Sequence, residues 1–285
     1  MNATGIPARV AGVPSVWVTS PRPQRITLAA AAVAGADALL ATGGAQAIAA
    51  LAYGAGPVPA CDAVVGPGNR WVTAAKQLVA GLVRIDMLAG PSELVILADA
   101  SADPETVAAD LLAQAEHDPD ALPILVTLDP ALADAVDAAL ARQLDDLPTA
   151  GTARPAVQGG FCVVAASLDE AIDLCNRLAP EHLEVLLADP DAAVPSLRHF
   201  GGLFIGSYAA EVLGDYGAGP NHTLPTGGTA RSASGLSVHT FLRFPTWMRL
   251  DDAAAAAPLV EDAVALARLE GLEGHARSAA RRRLR

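Results

Sequence analysis

From residue 15 to about residue 215, short apolar runs rich in β-branched residues alternate with Ala- and Leu-rich segments of helical period. A strand buried on both faces is apolar at every position, whereas a helix laid over it needs only one apolar stripe. The alternation is therefore that of a mostly parallel sheet with helices on its faces, and the expected class is α/β. Strands are expected at Ser15–Thr19, Ala63–Val65, Leu94–Leu97, Ile124–Thr127, Cys162–Val164, Leu183–Leu187 and Leu203–Ile205. Asp103-Pro104 starts a helix with a capping carboxylate ahead of proline, and Ser167 to Glu170 has capping-box spacing. After about Leu236 the strand signals stop, and Asp251–Arg285 reads as one or two helices interrupted near Gly271–Gly274, a helical C-terminal appendage. The Pro- and Gly-rich stretches Leu147–Pro155 and Gly214–Gly228 read as loops.

Hydrophobic residues make up 52% of the 285 positions and aromatics only 4%, so the core must be packed by Ala, Val, Leu and Ile, and disorder of the whole chain is excluded. The formal net charge of −12 would repel a phosphate backbone, which argues against nucleic acid and for small-molecule partners. Arg277, Arg281, Arg282, Arg283 and Arg285 crowd the end of the chain as a solvated basic terminus, and Lys76 is the only lysine. Cys61, Cys162 and Cys175 are odd in number and lack CxxC spacing; they read as small apolar core residues in a reducing, cytoplasmic compartment. Ala38–Cys61 carries no charge, but its glycines and prolines break a spanning helix, so no membrane segment is expected.

Several residues could carry chemistry. Gln114 and His117, three apart at a helix end, stack on one face and could share a metal ion, although a helix-end His is also an ordinary C-cap. Pro180 places the adjacent Glu181 and His182 at a strand start, expected at a sheet edge, where they could divide general-base work or stand as an exposed acid beside a half-buried His. The glycine-rich loop after Gly214 holds Asp215 and His222. Thr42–Gln46 and Val65–Asn69 each precede a helix and could receive a phosphate on backbone amides, Asn69 being equally a plain N-cap.

Read in order, GGAQAIAALAYG, VVGPGN, TAAK, IDMLAGPSE, DLLAQAEHDPD, APEHLEV, GDYGAGPNHTLPTGGTARSASGLSVHTFLR and LEGLEGHA resemble the histidinol dehydrogenase family along essentially the whole chain. The resemblance implies two incomplete Rossmann-like parallel-sheet domains, residues 1–93 on the NAD side and 94–236 on the substrate and zinc side, followed by the helical appendage 237–285. It implies oxidation of L-histidinol through L-histidinal to L-histidine with Zn2+ and NAD, the last step of histidine biosynthesis. By the same resemblance Gln114, His117, Asp215 and His275 are the metal ligands, and Glu181 and His182 the catalytic pair. Ser92, Gln114, His117, His182, Asp215, His222, Glu270 and His275 fall on substrate positions, and Gln46 and Asn69 on NAD positions. A homodimer is implied, its terminal helices reaching the partner's site.

The family pattern has an N-terminal segment, with a Tyr-x-Pro-Gly-Gly stretch beside the cofactor, ahead of the position that Met1 matches. The expectation is therefore of a chain that lacks part of the nucleotide site. Alternatives to a working dehydrogenase are a fragment that at most binds zinc or histidinol, and a relative oxidising another small hydroxyl compound.

Overall fold

In the computed structural model, which describes residues 2–283, the chain forms two compact units, Met1–Leu242 and Arg243–Arg285. The first begins with α1 (Asn2–Val10), β1 (Trp17–Thr19), α2 (Arg25–Val33), β2 (Ala38–Leu40), α3 (Gly44–Tyr53), β3 (Ala63–Val64), α4 (Arg70–Val79) and β4 (Arg84–Ile85). β1 pairs in parallel with β2, and β3 with β4. Ile48 and Leu51 of α3 pack with Ala75 and Val79 of α4 around Val64. β2 and β4 were not expected from sequence. Ala38-Leu-Leu40 has no β-branched residue, and it is strand because Trp17–Thr19 lies alongside.

One buried ion pair fixes the loop before α4. Lys76, 2% exposed, bonds the Asp86 carboxylate and donates to the Gly66 carbonyl oxygen at 3.0 Å, while the Gly66 N–H donates to Asp86 at 2.7 Å. Gly66 is thus held at both of its main-chain polar groups. Asn69 caps α4, its Oδ1 accepting from the N–H groups of Trp71 and Val72.

The rest of the first unit holds β5 (Glu93–Ala98), α5 (Pro104–Ala115), β6 (Leu122–Thr127), α6 (Pro130–Asp146), α7 (Ala150–Gly159), β7 (Phe161–Val164), α8 (Leu168–Leu178), β8 (His182–Leu186), β9 (Gly202–Ile205) and α9 (Glu211–Asp215). All five strands are parallel in the order β7-β6-β5-β8-β9, so the winding reverses between β5 and β8. Both faces of the sheet are covered. Val95 and Leu97 pack with Ala171, Ile172 and Cys175 of α8, while Leu94 and Ile96 pack with Val107 and Leu111 of α5 and Val136 of α6. Each such fully buried aliphatic side chain contributes roughly 1.5–3 kcal/mol.

Four expectations are corrected. Residues 150–155, read as loop, belong to α7: Ala153 and Ala156 are fully buried against Leu112 and Leu144, and this packing overrides Gly151 and Pro155. Gly214 likewise falls inside α9 rather than in the loop. The Ser167 cap is present, but Glu170 reaches back to the N–H of Ala166 at 2.8 Å, not to that of Ser167. Of the cysteines only Cys175 is fully buried, its thiol pushed up to about 12 by burial, whereas Cys162 is exposed on the edge strand β7.

The second unit contains α10 (Ala253–Leu269) and α11 (Glu273–Ala280), which pack through Val264, Ala267 and Ala276. Gly271 at φ 74° makes the break between them, where the sequence places it. Arg285 of the basic terminus lies outside the described residues. Among the described residues no helix is long and apolar enough to cross a membrane.

Candidate active site

Two segments enter the large sheet side by side. Ser92-Glu93 leads into β5 and Glu181-His182 into β8, with Leu94 paired to His182. The acid–imidazole pair thus stands at the amino end of an interior strand, not at the sheet edge expected, because β9 pairs along the far side of β8. The chain reverses there at Ala179, a fully buried non-glycine at φ 49°, a conformation that costs about 1–2 kcal/mol. Pro180 and Glu181 are then pinned to β9 by the N–H groups of Gly201 and Gly202, at 2.9 and 2.8 Å. A Cβ on Gly201 would lie 2.5 Å from the Glu181 carbonyl oxygen, so this approach requires glycine.

Glu181 is 7% exposed, and its Oε2 accepts from the Ser92 hydroxyl and from the Glu93 N–H. Burial pushes its carboxyl up to about 7, against the lowering effect of those two donors. His182 is 3% exposed, with Nδ1 3.2 Å from the Glu93 carbonyl oxygen. A carbonyl only accepts, so Nδ1 carries the hydrogen and Nε2 the lone pair. Burial pulls the imidazole down to about 4, with Asp215 and the Glu93 carbonyl acting the other way, so the ring is neutral at pH 7. Together with Asp215, Asn221 and the exposed His222, it lines a cleft of about 210 Å³ walled by Phe204 and Leu224.

At the end of α5, Gln114 is fully buried, and among the described residues neither its amide oxygen nor its nitrogen has a hydrogen-bond partner. Such a group costs stability unless something else coordinates it. His117 turns Nδ1 to the Ala113 carbonyl oxygen at 3.1 Å, leaving Nε2 free 3.7 Å from Asp215 Oδ2. A main-chain partner on one ring nitrogen is the usual arrangement for a histidine that binds metal through the other. Donor atoms of His117, Glu211 and Asp215 all lie within 4.8 Å of one another. The unpartnered amide, the fixed tautomer and the nitrogen–oxygen donor set fit a zinc ion.

The first unit therefore brings together Ser92, Glu181 and His182, and places His117 with Asp215. Gln46 and Asn69 are exposed at the starts of α3 and α4, and the Asn69 oxygen is spent on its cap, leaving the amide nitrogen. Glu270 and His275 belong to the second unit, where both are exposed and line a hollow formed with Leu272 and Arg282.

Three buried or half-buried acids escaped sequence reading. Glu184, 1% exposed in the middle of β8, accepts the Glu211 N–H at 2.6 Å and lies beside the Asp110 carboxyl. Burial, then the Asp110 charge, raises Glu184 well above the usual carboxylate range. Glu211, 3% exposed, is pushed up to about 7 by burial and Asp215, with His117 opposing. The available signals were a lone acid inside the apolar run His182–Leu186, and two acids four apart, Glu211 and Asp215, which share a helix face.

Fold and site define a doubly wound α/β protein in which a buried acid–imidazole pair stands beside a metal-type donor set. The sequence model of the family described as histidinol dehydrogenase matches residues 1–283. The chain belongs to the histidinol dehydrogenase family. It is 54% identical over 276 residues to the histidinol dehydrogenase of Thermus thermophilus, covering 96% of this chain and 67% of that protein. To that of Lactiplantibacillus plantarum it is 51% identical over 282 residues, covering 96% and 65%. The crystal structure of histidinol dehydrogenase from Elizabethkingia anophelis superposes with a TM-score of 0.92 at 34% identity, over 99% of this chain and 67% of that one. An acetylating aldehyde dehydrogenase from Geobacillus thermoglucosidasius shares the fold alone, at TM-score 0.52 and 14% identity over 84% and 70% of the two chains. The chain spans about two thirds of the length of the curated relatives it matches.

Proposed function

We propose that this protein takes part in the zinc-dependent, NAD-linked oxidation of L-histidinol through L-histidinal to L-histidine, the last step of histidine biosynthesis. The observation that carries this reading is the buried His182 imidazole, held by Nδ1 on the Glu93 carbonyl and 3.8 Å from the buried Glu181 carboxylate, in a chain of the histidinol dehydrogenase family. Residues 1–93 serve the cofactor, 94–236 the substrate and metal, and 237–285 supply terminal helices that, in a cytoplasmic homodimer, reach the partner's site. Zinc held by Gln114, His117, Asp215 and His275 would orient the substrate's amine and imidazole, and NAD held with Gln46 and Asn69 would accept the hydride.

The chain's own residues move the protons. His182 Nε2 takes the hydroxyl proton of the alcohol as the C–H bond gives up its hydride. Glu181, whose carboxyl burial pushes upward toward the neutral range, in its ionised form then takes a proton from the water that adds to the aldehyde. The hydrate is again an alcohol, and His182 takes its proton in the second oxidation. Ser92 orients Glu181 through its hydroxyl, and His222 and Glu270 bound the substrate.

The test measures NADH formation separately from histidinol and from histidinal. His182→Ala is expected to lose both oxidations, about 10²–10⁴-fold. Glu181→Gln is expected to lose mainly the aldehyde step, since only that step needs activated water. Equal losses on the two substrates would remove this division of labour. Zinc and histidinol binding without any turnover by the wild-type protein would support the reading as a binding fragment instead.

A further inference from the structure

Glu211 lies where the two halves of the site meet. Its Oε1 stands 3.4 Å from Nε2 of His182 and, among the described residues, has no hydrogen-bond donor. The same carboxylate belongs to the 4.8 Å group with His117 and Asp215. Its main-chain N–H is tied to Glu184, two residues beyond His182 on β8 and therefore on the same side of that strand. The main chain of Glu211 is thus anchored to the strand that carries the imidazole, and its side chain is buried against that strand at 3% exposure.

Resting on the reading of His182 as the base, we propose that Glu211 is the positioning residue for His182, the buried carboxylate that offsets the charge created when the imidazole takes the substrate's proton. The ring is held by a hydrogen bond at Nδ1 and faces the Glu211 carboxylate at Nε2. Nδ1–H donates to the Glu93 carbonyl, which leaves Nε2 as the only site for a new proton. When the substrate O–H bond gives its proton to Nε2 and the C–H bond gives its hydride to the nicotinamide, the ring becomes a cation at 3% exposure. The new Nε2–H points at the substrate oxygen it came from, and the Glu211 carboxylate, its Oε1 3.4 Å from Nε2, offsets the charge of the imidazolium. Glu211 in this role is not a metal ligand.

The test uses the purified protein with zinc and NAD and compares Glu211→Gln with Glu211→Ala. Gln keeps the size of the side chain and removes its charge. Both variants are expected to lower kcat about 10–100-fold, with zinc stoichiometry unchanged. A Glu211→Gln protein with wild-type kcat would mean that the residue only fills space, and one that loses its zinc would make Glu211 a ligand; either result overturns the proposal. A second readout needs no turnover. In the metal-free protein, the 15N resonance of His182 Nε2 is expected to move in Glu211→Gln while that of Nδ1 stays, and an unmoved Nε2 also overturns the proposal. If the wild-type protein does not oxidise histidinol, the proposed function fails while the spectrum still decides the contact between Glu211 and His182.

Discussion

The main-chain N–H of Glu211 donates to Oε1 of Glu184 at 2.6 Å, so the short helix that carries Asp215 hangs from the strand that begins with His182. Helix α9 is only five residues long, too short to hold its own position by internal hydrogen bonds. It lies against α5, which carries Gln114 toward His117, and that buried acceptor ties its first residue to β8.

Removing the acceptor should therefore unsettle both fold and metal site. Glu184→Ala leaves a buried N–H unpaired, with an expected loss of about 1–3 kcal/mol of stability in urea unfolding of the metal-free protein. Zinc affinity should fall with it as Asp215 loosens. Glu184→Gln retains an oxygen acceptor and should keep the zinc affinity of the wild type. An alanine variant as stable as wild type would mean that α9 is held by something other than Glu184.

The same residue carries a pH dependence whose sign follows from proton counting. Burial raises the carboxyls of both Asp110 and Glu184 above their ordinary 3.8 and 4.5; the Asp110 charge raises Glu184 further, while the hydrogen bond with Glu184 works the other way on Asp110. Above those ordinary values the unfolded chain has released protons that the folded one keeps, so this pair costs stability as pH rises. His182 acts in the opposite sense, since its folded pKa of about 4 lies below its ordinary 6.5 and its neutral form loses stability as pH falls through that range. The informative quantity is thus the difference in melting temperature between Glu184→Gln and wild type, both metal-free. It should grow in favour of the variant from about pH 5 to about pH 8. A difference that stays flat over that range would show that the pair ionises freely in the folded state.

Much of this architecture was legible in the chain because the central strands are apolar at every position in Leu94–Leu97 and at every position but Glu184 in Leu183–Leu187, and burial on both faces is what that pattern demands. β2 and β4 were not legible, being three and two residues that become strands only beside a partner. Residues 150–159 contain Gly151, Pro155 and Gly159, and only the tertiary contacts of Ala153 and Ala156 make them a helix. Within the site, Glu181 and His182 were readable because Pro180 forces a turn beside a strand. Glu211 was not, since its meeting with His182 depends on how β8 and α9 pack.

Lys76 and Asp86 offer a test of the part of the chain proposed to serve the cofactor. Both side chains are nearly fully buried, and together they hold Gly66 in the loop before Asn69. Lys76→Ala would strand the Asp86 carboxylate, with an expected loss of about 3–5 kcal/mol in urea unfolding. Lys76→Met with Asp86→Leu removes both charges and should recover most of that stability, while NAD affinity stays reduced because the loop has lost its clamp. Full recovery of NAD binding in the double variant would show that the loop needs no clamp.

The last test sets stability against function at Gln114. The residue is fully buried, with both amide atoms unpartnered among the described residues, so in the metal-free protein it costs desolvation without return. Gln114→Leu has nearly the same volume and no polar atoms. In the metal-free protein it should therefore be neutral or stabilising, by up to about 1–3 kcal/mol in urea unfolding. If the amide is held for zinc, the same substitution should weaken zinc binding measured by competition with a chelator, and wild type should overtake the variant in stability once zinc is added, since a ligand that binds only the folded state stabilises it in proportion to affinity. The decisive result is the crossing of the two stabilities on adding metal. If Gln114→Leu were destabilised in the metal-free protein and bound zinc as tightly as wild type, the amide would be a packing element, and its place in the ligand set would have to be given up.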